Sequence, residues 1–258
     1  MVTSKEINGF LTDGFVKVEA AFSGEHAAAC REILWKAVGY DPNDRNTWKK
    51  PVVRIAEIPH PLFVEVANTS VLTDAYNQLA GEGNWVPKKS MGSFPIRFPH
   101  SEPAGDTGWH VDASYSDDND FSDFSKWRVN IHSKGRALLM LFLFSDVGEA
   151  DAPTAIRKGS HRDVARVLEP AGDAGMTFME LAQQLENLPA REEVLATGAA
   201  GTVYLCHPFL VHAAQEHRGT NPKFMAQPAL QTKKDYNIYE EGRDFSKVEE
   251  GIRLALSL

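Results

Sequence analysis

Residues 137–144 read Ala-Leu-Leu-Met-Leu-Phe-Leu-Phe, eight apolar side chains without a polar break. In a strand, successive side chains point to opposite faces, so this run needs apolar cover on both sides. It is much too short to cross a bilayer. The fold must therefore be layered around a buried central strand. Further strands are predicted at residues 93–98, 109–115, 201–206, 210–214 and 224–230, each short and bounded by Gly, Pro, Asp or Thr. Helical spacing appears at residues 23–38, where Ser23 suits the N-cap, Ala27, Cys30, Ile33, Leu34 and Ala37 share a face, and Gly39 ends the turn. Residues 70–79 and 177–188 give two more helices. Helices gather in the first third and strands follow. That order predicts a mainly β fold, a double-sheet jelly roll with helices packed on one outer face. No repeat, low-complexity tract or long linker interrupts it, so residues 1–258 are expected to form a single domain with an N-terminal helical part.

Charge narrows the partners. Twenty-seven basic against thirty-five acidic residues leave a net charge of −8, which repels phosphate backbones and anionic bilayers. Neither nucleic acid nor a membrane is expected as a partner. Residues 1–10 carry no basic region followed by an apolar run, so the expected address is the cytoplasm. Cys30 and Cys206 form no Cys-x-x-Cys pattern and are expected to be free, buried thiols.

The sharpest local motif is Trp109-His110-Val111-Asp112. On a strand, positions i and i+2 face the same side, so His110 and Asp112 can reach one metal ion. Such a dipeptide arises by chance in roughly half of chains of this composition, as a strand-end His and a turn Asp. About a hundred residues on, the segment Cys206-His207-Pro208-Phe209-Leu210-Val211-His212 offers two more imidazoles. Two neutral histidines and one carboxylate are the ligands of a mononuclear ferrous oxygenase site, although zinc accepts the same atoms.

Four segments together resemble the phytanoyl-CoA dioxygenase family of Fe(II)/2-oxoglutarate-dependent oxygenases. They are Phe10-Leu11-Thr12-Asp13-Gly14-Phe15-Val16, the His110-Val111-Asp112 motif, Ala152-Pro153 through Gly159-Ser160-His161, and Gly201 through His207-Pro208 to His212. The resemblance implies a double-stranded β-helix of cupin type. It implies Fe(II), 2-oxoglutarate and O2 as cofactor and cosubstrates. It also implies His110, Asp112 and His212 as the catalytic metal ligands. His207 becomes a supporting or packing residue, His161 a structural one, and His217 a solvated turn residue. Where the family has an arginine for the distal carboxylate of 2-oxoglutarate, this chain has Lys223, expected to share an inward strand face with Met225 and Gln227. Arg54, Ser93 and Leu141 fall where the family lines the same pocket, and Ala214 replaces a small hydroxyl residue.

The implied reaction couples decarboxylation of 2-oxoglutarate to oxidation of a small-molecule substrate. Because Asp112 fills the position a halide would need, hydroxylation of an unactivated C–H bond is expected over halogenation, with desaturation and ring formation open. Two other classes fit the same ligands: a zinc or manganese jelly-roll isomerase or lyase, and a catalytically silent binding module. The acidic, aromatic insert at residues 114–134 is placed to serve as a lid, and Arg97, His100, Lys134 and Arg136 to meet an acidic substrate.

Overall fold

The structure, a computed structural model, describes residues 2–117, 120 and 122–258. Its helices are α1 (Ser4–Asp13), α2 (Gly24–Val38), α3 (Pro61–Ala67), α4 (Ser70–Ala80), α5 (Ser160–Leu168), α6 (Phe178–Leu185) and α7 (Lys247–Leu256). The strands are β1 (Phe15–Val18), β2 (Val52–Ile55), β3 (Phe94–Arg97), β4 (Arg128–Val129), β5 (Leu138–Leu143) and β6 (Thr154–Arg157). After them come β7 (Met176–Thr177), β8 (Glu193–Ala196), β9 (Val203–Cys206), β10 (His212–Ala213), β11 (Met225–Ala226) and β12 (Ala229–Leu230).

The apolar run is the centre of the larger sheet. β5 pairs antiparallel with β9 on one side and with β11 and β12 on the other, and β1 lies beyond β9. All six of its residues are buried. Its side chains divide by parity, as a period of two requires. Leu138, Met140 and Phe142 join Phe10, Leu34, Phe63 and Leu72 in the core beneath the helices. Leu139, Leu141 and Leu143 join Ile156, Leu210 and Met225 in a second apolar cluster between the sheets. Burying one such side chain is worth roughly 1.5–3 kcal/mol, so both covers contribute to the fold. The smaller sheet runs β8-β6-β10. A bridge between Arg97 and Lys223 joins β3 and β2 to the larger sheet, and a bridge between His110 and His212 extends the smaller one. The result is the expected two-sheet jelly roll.

Several elements depart from the sequence reading. Residues 109–115 do not form a continuous strand; they touch neighbours only through the His110–His212 and Tyr115–Arg128 bridges. Between these, the Ala113 carbonyl accepts from the Arg136 guanidinium at 3.0 Å, and Ser114 N–H donates to the Arg128 carbonyl at 2.8 Å. Those partners draw the chain out of the sheet. The expected strand at 210–214 shrinks to β10. The one at 224–230 is split at Gln227-Pro228, because proline has no N–H for the ladder. Register is unchanged across the break, with Ala226 opposite Phe142 and Ala229 opposite Leu139. The helix at 177–188 ends early, at Leu185. Three helices, α5, α6 and α7, lie after the first third, so the helical layer is assembled from both ends of the chain.

Helix ends follow local chemistry. Ser23 caps α2 by accepting from His26 N–H, and Gly39 closes it at φ 73°. Gly14 takes φ 89° between α1 and β1, where a Cβ would sit 2.6 Å from His161 Nδ1. Both cysteines are buried free thiols, and burial pushes Cys30 up to about 12, which keeps it unreactive. Among the described residues no helix is long and apolar enough to cross a membrane.

Candidate metal centre

His110 and His212 meet because their backbones do. Each donates its N–H to the other's carbonyl at 3.0 Å, and the rings stand side by side with centroids 4.4 Å apart. Asp112 follows two residues later, and one donor atom from each of the three lies within 4.8 Å of the others. Hydrogen bonds fix the imidazoles. Nδ1 of His110 lies 2.8 Å from the Gly108 carbonyl and Nδ1 of His212 lies 3.0 Å from the Leu210 carbonyl. A carbonyl only accepts, so both rings carry the proton on Nδ1 and turn an Nε2 lone pair inward. Those Nε2 atoms stand 3.6 and 3.7 Å from Asp112 Oδ1. The separations suit a divalent ion bonded to each at about 2.0–2.2 Å.

Asp112 uses its other oxygen differently. Oδ2 accepts from Arg136 Nη1 at 2.8 Å. Burial by itself would raise the carboxyl pKa, but Arg136 and the two histidines outweigh it and hold the group at about 2. Burial lowers His212 to about 4 against the pull of Asp112, so it is neutral at physiological pH. One ionised carboxylate and neutral imidazole donors are what a ferrous or zinc ion takes.

Beside the three ligands opens a cavity of about 340 Å³, lined also by Arg54, Ser93, Thr154, Lys223, Met225 and Gln227. Lys223, Met225 and Gln227 share its wall, as their alternation suggested. Gln227 Nε2 approaches His212 Nε2 at 3.0 Å. Lys223 is 1 % exposed, and its Nζ donates to the Ala152 carbonyl at 2.6 Å. Among the described residues no carboxylate pairs with it. Burial, reinforced by nearby Arg97 and opposed by Asp106, pulls it down to about 7. Arg54 is mostly exposed and pairs with Asp106. Leu141 lies in the apolar cluster with Met225, behind the cavity wall.

Other candidates fall elsewhere. His207 is fully buried; its Nδ1 accepts from Phe209 N–H at 3.1 Å and its Nε2 donates to the Val248 carbonyl at 3.2 Å. Both nitrogens are thereby occupied, and His207 is not in the group formed by His110, Asp112 and His212. His161 packs against it, ring centroids 4.8 Å apart, beneath α7. His217 is half-buried and bonds the Asn221 carbonyl at 2.7 Å, so it is not the solvated turn residue expected. Arg136 serves Asp112 and does not face outward. Asp106 and the partnership of Arg136 with Asp112 were missed; the one available signal was an arginine directly before the buried run. The described part of the 114–134 insert docks on residues 173–177: β4 pairs with β7, and Tyr115 donates to the Ala174 carbonyl at 2.9 Å. Asp118, Asn119 and Phe121 of that insert lie outside the described residues. A larger groove of about 660 Å³ runs along Gly108 and Trp109, beside His110, with Arg157 and α6 as walls.

Residues 10–225 match the family described as phytanoyl-CoA dioxygenase. No curated protein matches the sequence significantly. Among solved structures, the chain is similar to the epimerase SnoN in complex with Fe3+, α-ketoglutarate and nogalamycin RO, with TM-score 0.61 and 14 % identity over 93 % of this chain and 91 % of that one. It is similar to HygX from Streptomyces hygroscopicus with nickel and 2-oxoglutarate bound, with TM-score 0.55 and 16 % identity over 95 % and 91 %. It is also similar to EctD from S. alaskensis in its apoform, with TM-score 0.56 and 19 % identity over 95 % and 83 %. At these identities the likeness establishes the shared fold.

Proposed function

Because the chain belongs to the phytanoyl-CoA dioxygenase family, we propose that it is an Fe(II)- and 2-oxoglutarate-dependent dioxygenase that hydroxylates a small molecule at an unactivated C–H bond. One observation carries this reading: two fixed Nε2 lone pairs and an ionised Asp112 oxygen converge at the mouth of a cavity that buries an unpaired cation, Lys223. His110, Asp112 and His212 would hold the iron, and the cavity beside them offers room for a cosubstrate. When bound, iron with 2-oxoglutarate and O2 supplies the oxidation, coupling decarboxylation to succinate and CO2 with attack on the substrate C–H bond.

The chain's own residues hold and orient. Arg136 keeps Asp112 ionised and aims it. Lys223 receives the distal carboxylate of 2-oxoglutarate, with Ser93 on the wall and Arg54 near the entrance. The groove along Gly108 and Trp109, the residues that precede His110, is large enough for a small organic substrate. Hydroxylation is favoured over halogenation because Asp112 occupies the position a halide would need; desaturation and ring formation stay open. The similar structures include a carbocyclase and an epimerase, so product analysis is part of the test. Purified protein with Fe(II), 2-oxoglutarate, O2 and a panel of candidate substrates should release succinate and return a product with one added oxygen. Turnover that ignores 2-oxoglutarate would point to the isomerase or lyase class instead.

A further inference from the structure

The cavity beside the metal ligands holds more positive charge than its own carboxylates balance. Arg136 and Asp112 neutralise one another. Three further cations, Arg54, Arg97 and Lys223, line it with the single carboxylate of Asp106, which pairs with the two arginines. Arg97 is 3 % exposed and Lys223 1 %, so neither relies on water for its charge. Asp106 pairs with Arg97, but among the described residues no carboxylate pairs with Lys223; a buried cation without such a partner is costly, and a bound anion would complete the site.

The two buried cations are placed together by the backbone. Arg97 ends β3, and it exchanges both main-chain hydrogen bonds with Lys223, at 3.0 and 2.8 Å. Directly opposed residues of an antiparallel pair project from the same face, so both side chains enter the same space. Asp106 then sets the guanidinium: Arg97 Nη2 donates to its two oxygens at 2.9 and 2.8 Å. Among the described residues it makes one further bond, a long 3.4 Å contact from Nη1 to the Gln215 carbonyl. Lys223 has spent one of its three protons, on the Ala152 carbonyl. Donors on both residues remain for a ligand.

We propose that Arg97 and Lys223 form a two-cation clamp for the distal carboxylate of the 2-oxo acid, with Arg97 as the planar donor that lysine at position 223 cannot supply. A lysine offers a point charge, whereas a guanidinium offers directed donors. The clamp restores from a neighbouring strand what the departure at position 223 removed. The lowered pKa of Lys223 agrees with an unfilled anion site, since burial first, and then Arg97 beside it, oppose its charge until a carboxylate arrives. The clamp rests on the 2-oxoglutarate reading above.

The test is a binding measurement. Fe(II)-loaded protein is titrated without oxygen, first with 2-oxoglutarate and then with 2-oxopentanoate, which keeps the 2-oxo acid head but carries a methyl group in place of the distal carboxylate. The visible charge-transfer band of the iron–2-oxo acid chelate reports binding. Wild type should prefer 2-oxoglutarate strongly. Arg97→Met and Lys223→Met should each weaken 2-oxoglutarate by roughly ten- to a hundredfold, the loss expected for a charge-assisted hydrogen bond, and leave 2-oxopentanoate unchanged. Arg97→Lys should recover part of the loss and serves as the test if Arg97→Met does not fold. Equal wild-type affinity for the two acids, or an Arg97→Met protein that keeps the wild-type preference, overturns the clamp while the 2-oxo acid reading stands. A wild type that gives no chelate with either acid overturns both.

Discussion

Arg136 lies 24 residues from Asp112 in sequence and touches it at 2.8 Å in the fold. It also ties down the Ala113 carbonyl, so one guanidinium sets both the charge and the direction of Asp112. Groups that orient metal ligands typically account for 10–100-fold in metal affinity. Arg136→Met should weaken Fe(II) binding by about that factor, with Arg136→Lys intermediate; equilibrium competition against a chelating dye measures it. The choice between His207 and His212 belongs to the same scale. Both stand in one sequence block, and spacing alone does not separate them. Placement does: both His207 nitrogens are bonded to backbone groups of Phe209 and Val248, while His212 Nε2 faces Asp112 Oδ1 at 3.7 Å in the group with His110. His212→Ala should lose iron and turnover but stay folded. His207→Ala should keep iron and lose about 2–4 kcal/mol of stability to the cavity it leaves, seen by denaturant titration.

At the scale of elements, legibility tracked how much of an element's reason is local. β5 was legible because eight apolar residues in succession permit no other cover. α2 was legible because its cap, stripe and terminal glycine lie in a single window. β6 and β8 were missed, since they are short and only β6 is largely buried. The site motif at 109–115 was mistaken for a strand because Arg128 and Arg136, which take its backbone groups, are distant in sequence. The junction of α1, β9, α5 and α7 has its own consequence. There His161 and His207 are buried side by side and held neutral, His161 at about 3 and His207 well below its ordinary value, chiefly by burial. Below pH about 6.5 the unfolded chain binds protons that these rings refuse, so stability falls as pH drops from there toward 3. The slope approaches about 1.4 kcal/mol per pH unit for each ring. His161→Phe should flatten this acid limb in urea titrations from pH 7 to 4. An unchanged slope would mean that other groups set it.

Across the whole molecule, the fold and the gathering of His110, Asp112 and His212 were readable from four spaced segments because each carries chemistry that has few substitutes. The anion subsite was only half readable. Lys223 stood out as a departure and Arg97 as a cation for an acidic substrate, but their adjacency comes from a bridge between residues distant in sequence. The insert at 114–134 was expected as a cover, and its described part is anchored on 173–177 by Tyr115 and Arg128. Removing that anchor, as in Arg128→Ala, should raise the KM for the main substrate more than that for 2-oxoglutarate if the insert closes over the substrate. An equal rise in both would speak for general loosening of the site.

The central claim is that His110, Asp112 and His212 bind one metal ion. Crystals grown with Fe(II) under anaerobic conditions, with data collected on both sides of the iron absorption edge, locate that ion without reference to turnover. The expected result is a single anomalous peak about 2.0–2.2 Å from Nε2 of His110, Nε2 of His212 and Oδ1 of Asp112, the range for such donors on a first-row divalent ion. A peak beside His207, or no peak between these three residues at full iron loading, would contradict it.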